Sequence, residues 1–248
     1  MYRVNVLGAV SLLGLSVVLS GCGSGDGDTP EGRARVINAL TNVPGNANAD
    51  VNINNGQGVL TNIAYGSASP ASATVNAGGA IPVKVVATGT TTTLANSSGV
   101  NITQGVDNLL LVTGVSGASG LTAPQITSLG QVDLSNPPVS NQARIYFINA
   151  APGSADANFD LTVTNPSAPI TSTASVNNLS YNQMAAAQIV TIIDGTSTVA
   201  LNVSSTGQTL PVNTTAIAGG NTYAVVLTGR PTAAGGPPFS TQIIRLNP

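Results

Sequence analysis

With no histidine, one cysteine (Cys22), one lysine (Lys84) and one glutamate (Glu31) in 248 residues, the chain has few groups that could move a proton or attack a carbonyl. Ser-His-Asp and Cys-His nucleophile systems need an imidazole base, so neither can be assembled. Zinc sites built on His or Cys are excluded by the same inventory. A Ser–Lys pair would have to use Lys84, but Val83-Lys84-Val85 reads as strand alternation with the amine in solvent. Paired carboxylates can hydrolyse a glycoside, yet Glu31 falls in a linker. Asp156 and Asp160 are answered only by Asp50 in the first half. General acid–base groups are missing, and the expectation is a protein that is no enzyme and takes no cofactor.

Two oxygen-rich positions remain. Asp156, Asn158 and Asp160 alternate with Ala157 and Phe159, and Asn46, Asn48 and Asp50 alternate with Ala47 and Ala49. Calcium takes several carboxylate and carbonyl oxygens gathered on a turn. These segments lack the glycine and distal glutamate of a calcium loop, so the expectation is a polar strand face and no metal, with Asp156, Asn158, Asp160 and Asp50 as the candidate ligands otherwise. Tyr65 and Tyr181 recur at one position. They could line a sugar site, but a buried ring with its hydroxyl on a backbone group is the simpler expectation.

Cys22 has a chemistry of its own. Leu19-Ser20-Gly21-Cys22 resembles a bacterial lipobox, in which the cysteine is lipidated and becomes the first residue of the mature chain. Residues 1–21 read as its signal peptide. Arg3 is the basic start, and the apolar run to Leu19 is too short and glycine-rich for a membrane span of about 20 residues. An acylated Cys22 would hold the chain to a membrane, since each buried methylene contributes about 0.8 kcal/mol and two or three acyl chains suffice. Gly23 rather than Asp after the cysteine resembles outer-membrane sorting in a Gram-negative envelope.

Composition narrows the remainder. The net charge is −2 with 6% charged residues, so no basic patch is present to meet phosphates and nucleic acid is not expected as a partner. Hydrophobic residues make up 42% of the chain with no Trp and three Phe, so the core is expected from Val, Ile, Leu and Ala. That content at low net charge argues against disorder.

The chain also repeats itself. Residues 32–39 (Gly-Arg-Ala-Arg-Val-Ile-Asn-Ala) match 143–150 (Ala-Arg-Ile-Tyr-Phe-Ile-Asn-Ala), and Pro44-Gly45 matches Pro152-Gly153. Asn48-Ala49-Asp50-Val51-Asn52-Ile53 is aligned with Asn158-Phe159-Asp160-Leu161-Thr162-Val163, and Asn62-Ile63-Ala64-Tyr65 with Asn178-Leu179-Ser180-Tyr181. Leu111-Val112-Thr113-Gly114 returns as Val226-Leu227-Thr228-Gly229. Blocks in one order over about a hundred residues define two homologous domains. The expected layout is a linker at 22–31, a first domain at 32–134, a Pro-containing connector at 135–142 and a second domain at 143–248.

Both units read as β. Arg33 and Arg35 alternate with Ala34 and Val36, and Arg144 and Tyr146 with Ile145 and Phe147. Val51–Ile53, Asn54-Asn55-Gly56 and Val59-Leu60 predict a hairpin, because Asn and Gly accept positive φ. Further strands are predicted at 81–87, 100–103, 108–113, 126–134, 189–193, 198–203, 223–228 and 239–246, the 126–134 and 239–246 strands closing each unit along an edge. Leu109–Val112 and Ala224–Leu227 are apolar on both faces and belong in the middle of a sheet. Residues 183–187 could form one helical turn at most. The fold class expected is all-β: two tandem immunoglobulin-like or transthyretin-like sandwiches.

The repeated Arg-Ala-Arg-Val-Ile-Asn-Ala, Pro-Gly, Ala-Asp-Val-Asn-Ile and Asn-Ile-Ala-Tyr-Gly blocks resemble the bacterial envelope family catalogued as domain of unknown function 4397. The resemblance spans both units and implies paired domains behind a lipoprotein or secretory signal. Members often carry His where Asn38 and Asn149 stand, so histidine chemistry there does not extend to this chain. The family implies no activity. The function expected is a structural or protein-interaction module of the envelope, anchored through Cys22, with an envelope protein or glycan as partner. The alternative is a ligand-binding lipoprotein that takes glycan, peptide or calcium on loops at a sandwich end.

Overall fold

A computed structural model describes residues 29–43, 48–165, 171–193, 196–205, 208–210, 213–230 and 238–247. The expected signal peptide (1–21), Cys22, Gly23 and the repeated Pro44-Gly45 lie outside the described residues. The first unit contains β1 (Glu31–Thr41), β2 (Ala49–Ile53), β3 (Gly58–Ile63), β4 (Ser67–Ala68), β5 (Ala73–Asn76), β6 (Gly78–Ala87), β7 (Thr93–Ile102), β8 (Asp107–Val115) and β9 (Gln125–Val132). The second contains β10 (Gln142–Asn149), β11 (Ala157–Thr164), β12 (Thr171–Leu179), β13 (Gln183–Met184), β14 (Gln188–Thr191), β15 (Thr196–Ser205), β16 (Gln208–Thr209), β17 (Asn213–Ala218), β18 (Asn221–Thr228) and β19 (Ser240–Arg245). Glu31 opens β1 rather than ending a linker, and residues 183–184 are a short strand, not a helical turn.

Each unit is a sandwich of two sheets. In the first, β1 and β8 form the centre of one sheet, flanked by β4 and β5 on one side and β9 on the other; the facing sheet runs β3-β2-β6-β7. The second unit repeats this, with β10 and β18 between β13/β14 and β19, facing β12-β11-β15 with β16 and β17. The strands β1 and β8 are parallel, as are β10 and β18, and their registers agree: Arg33 sits opposite Asp107, and Arg144 opposite Thr222. An immunoglobulin constant-type sandwich keeps its first two strands on one sheet. Here they lie on opposite sheets, so the constant-type immunoglobulin arrangement does not apply.

Local sequence explains the joints. Asn54, Asn55 and Gly56 all have positive φ in the turn between β2 and β3, the conformation their side chains tolerate best. The Thr-Gly blocks end β8 and β18. A Cβ on Gly114 would strike the Ala123 carbonyl oxygen, and one on Gly229 that of Pro238, so glycine lets the closing strand return close by. The strands β9 and β19 do close the units along β8 and β18.

Each sandwich has its own core. Ala34, Val36 and Leu40 of β1 meet Val51, Ile53, Val83 and Val85 of the facing sheet. In the second unit Phe147 and Phe159 take the places of Val36 and Val51, with ring centroids 5.3 Å apart. A third apolar cluster joins the units. Ile37, Ala39, Leu109, Leu111 and Val132 pack with Tyr146, Ile148, Ala150, Ala224, Val226 and Leu246. The strands expected to be apolar on both faces are indeed central. One face fills the unit's own core and the other fills this seam.

Candidate functional site

The duplicated polar residues divide into those that shape each sandwich and those that hold the two together. Asn38 is 1% exposed and Asn149 fully buried. Asn38 Nδ2 donates to the Ile63 carbonyl at 2.9 Å while its Oδ1 accepts the Leu40 N–H at 3.1 Å. Asn149 repeats both contacts, donating to Leu179 at 3.0 Å and accepting from Ala151 at 3.2 Å. A side chain with one donor end and one acceptor end is needed to tie β1 to the end of β3, and β10 to the end of β12. These residues are clamps.

The acidic positions take a different alignment from the one the sequence suggests. A bulge interrupts β2–β3 between Ala49 and Val51, and β11–β12 between Ala157 and Phe159. The extra residue in each case includes an Asn with positive φ, Asn62 at 58° and Asn178 at 56°. Asp50 Oδ1 accepts the Asn62 N–H at 2.7 Å, and Asn158 Oδ1 accepts the Asn178 N–H at 2.8 Å. The counterpart of Asp50 is therefore Asn158, not Asp160. Asp50 also accepts the Thr88 hydroxyl at 2.6 Å, and Asp156 accepts that of Ser180 at 2.8 Å. Asp160 is exposed on β11.

Asp156, Asn158 and Asp160 follow one another along one face of an extended segment, where each second residue advances about 6.6 Å. Calcium–oxygen bonds are about 2.3–2.6 Å long, so the end carboxylates do not converge on one ion. Asp50 belongs to the other sandwich. Among the described residues no group of three or more acidic or cysteine side chains is gathered to hold a metal. Lys84 is exposed in β6, between Asn52 and Asn96 on the neighbouring strands.

Tyr65 and Tyr181 lie at the seam, a role the sequence reading missed. Tyr181 of the second unit sets its hydroxyl 3.5 Å from Thr113 Oγ1 of the first. Tyr65 of the first unit lies beside the Thr228 hydroxyl and Gly229 backbone of the second, without the alignment of a full hydrogen bond. Burial raises both phenols above the ordinary value, with the threonine contacts pulling the other way. Thr113 also donates to the Ala150 carbonyl at 2.7 Å. Tyr65 matches Tyr181 and Thr113 matches Thr228, so the contacts are reciprocal, as in a two-fold interface.

At the opposite end the connector is tied to both units. Arg33 pairs with Asp107 through Nε–Oδ1 and Nη2–Oδ2, each 2.8 Å, and Ser135 donates to Asp107 at 3.2 Å while accepting from Arg33. Arg144 donates to the carbonyls of Asp133 at 2.6 Å and Asn136 at 2.9 Å and pairs with the Asp133 carboxylate at 3.2 Å. The Asp133 N–H reaches the Tyr146 hydroxyl at 3.1 Å. The alternating polar positions of the repeated strand thus pin the chain that passes between the sandwiches.

No family model matches the chain, and no curated protein does. Among solved structures, a leucine-rich repeat protein from Bacteroides thetaiotaomicron VPI-5482 aligns over 81% of this chain at 12% identity with a TM-score of 0.20. The chain covers 26% of that protein's length. A candidate cell adhesion protein from Bacteroides ovatus ATCC 8483 aligns over 85% of this chain and 95% of its own, at 10% identity and a TM-score of 0.19. Likeness at these scores carries no argument about function. The chain is an all-β protein of paired sandwiches.

Proposed function

We propose that this protein is a lipid-anchored module of the bacterial cell envelope that acts structurally or by binding another envelope protein, its two sandwiches working as one rigid body. The observation that carries the reading is the seam. Its apolar cluster, the reciprocal Tyr–Thr contacts at one end and the pinned connector at the other remove the freedom that tandem domains ordinarily keep. Rigidity of this kind serves spacing and presentation. The acylated Cys22 would supply membrane attachment, and the resemblance to the envelope family of domain of unknown function 4397 supports the same setting.

Two measurements test the proposal. Cys22→Ser should abolish metabolic labelling by a fatty acid and leave unprocessed precursor; equal labelling of the variant would refute the anchor. Cross-linking in intact cells should trap the wild-type chain with an envelope protein. Recovery of the chain uncoupled to any protein, together with binding of a soluble glycan, would favour the ligand-binding alternative.

A further inference from the structure

Arg35 stands on the face of β1 that continues into the seam, two residues beyond Arg33. It is 6% exposed, and its Nε is buried with no hydrogen-bond acceptor among the described residues. Around it is a cleft of about 300 Å³, lined by Pro70, Ala71 and Ser72, by Leu134 at the end of the first unit and by Ser135 of the connector. Asp107 attracts the Arg35 charge, but both carboxylate oxygens are already bonded to Arg33, and Oδ2 also to Ser135. Asp133 is committed to Arg144. The cleft therefore holds two guanidinium groups against one carboxylate. Desolvation lowers the Arg35 pKa and Asp107 only partly opposes it.

A buried cation with an unmet donor is costly unless something pairs with it, and buried polar atoms without partners are rare enough to need a cause. The second unit shows that the fold does not demand a cation there. At the position of Arg35 it has Tyr146, whose hydroxyl meets the Asp133 N–H and which packs into the seam.

We propose that the cleft binds a carboxylate, anchored by Arg35. The charge excess is one, which a monoanion balances. The guanidinium fork matches the planar carboxylate through two parallel N–H···O bonds, a match that a tetrahedral anion does not require. Pro70, Ala71 and Leu134 offer apolar walls to whatever carries the group, and Ser72 is among the lining residues. The carboxylate is that of a small free acid or of a peptide C-terminus.

The test uses the purified ¹⁵N-labelled chain, following the Arg35 Nε–Hε resonance during titration with sodium acetate, N-acetyl-dialanine and N-acetyl-dialanine amide. Both acids should shift the resonance saturably, with midpoints on the order of 1–10 mM, and the amide should leave it unmoved. Binding of the dipeptide acid more than about fivefold tighter than acetate assigns a peptide terminus, roughly 1 kcal/mol at 25 °C; equal binding assigns a free acid. Arg35→Lys keeps the charge but loses the fork, and should weaken binding about tenfold or more. No shift with either acid at roughly 100 mM, far above that range, would overturn the proposal. So would an amide that binds as well as the acid, or full affinity in Arg35→Lys. The wild-type comparison of acid with amide stands even if the variant folds poorly.

Discussion

Shortening Ile148 measures how firmly the two sandwiches are coupled. Its side chain is fully buried in the seam, while its neighbour Phe147 points into the second core, so the substitution leaves both sandwich cores intact. The seam buries seven branched aliphatic side chains: Ile37, Leu109, Leu111, Val132, Ile148, Val226 and Leu246. Each contributes roughly 1.5–3 kcal/mol when fully buried. Three or four of them already match the lower end of a domain's whole stability, about 5 kcal/mol. Neither sandwich should unfold while the other stays native, so the wild-type chain should melt in one transition.

Ile148→Ala should cost about 2–5 kcal/mol through lost burial and the cavity left behind. At about 2–4 °C per kcal/mol for a chain of this size, the single transition should fall by roughly 4–20 °C. Ile148→Asp places a carboxylate among the buried aliphatic side chains of the same seam. The faces should part, and calorimetry should resolve two transitions, with calorimetric enthalpy exceeding the van't Hoff value of either. Two transitions already in the wild type would refute the reasoning, as would an Ile148→Asp profile that overlays the wild type.

Two further outcomes follow from the hydrogen bonds inside the sandwiches. Asn38→Ala and Asn149→Ala each orphan a buried carbonyl and a buried N–H, at roughly 1–3 kcal/mol per group, so urea midpoints should fall in both variants; unchanged midpoints would show that the clamps contribute nothing. Asp50→Ala should lose a similar 1–3 kcal/mol because the Asn62 N–H and Thr88 hydroxyl lose their acceptor, whereas exposed Asp160→Asn should stay within about 0.5 kcal/mol. Calcium and chelator should leave the melting temperature of all three proteins unchanged; a calcium-dependent rise lost in Asp50→Ala would restore the metal reading.

The sandwich strands were legible wherever alternation met a turn signal, as in the Asn-Asn-Gly hairpin and the paired Arg-x-Arg and Arg-x-Tyr strands. The short β4, β5, β13 and β16 were not, because two to four residues cannot show a period, and the longer β12 and β17, rich in Ser, Thr and Asn, were missed because few apolar residues mark their inward face. The slip at Asp50 has a traceable cause. Matching by residue type aligned Asp50 with Asp160, but Pro44 and Pro152 already stood at the spacing that pairs Asp50 with Asn158. Asp and Asn both present an oxygen to the bulge N–H, so acceptor chemistry was kept while charge was not. Eliminating imidazole-based catalysis needs only composition and no geometry. Composition could not find Arg35, whose meaning lies in an unpaired Nε and an occupied Asp107.

What the sequence showed as two apolar faces on one strand had two meanings, and periodicity alone does not separate them. A strand in the middle of a sheet between layers reads the same whether the second layer is its own or a neighbour's. The duplication supplies the missing term. A unit carrying Ile37, Leu109 and Leu111 outward would present an apolar sheet face of the kind that draws in a partner. A second copy brings Ile148, Ala224 and Val226 on the equivalent face. Tyr65 and Tyr181 then reach across in opposite directions to Thr228 and Thr113, which a chance contact between unlike surfaces would not produce. The seam thus has the self-complementary character of a two-fold interface, held within a single chain. At this one equivalent position the two copies differ in kind: Tyr146 takes the Asp133 N–H just ahead of the connector, while Arg35 keeps a charge in a cleft.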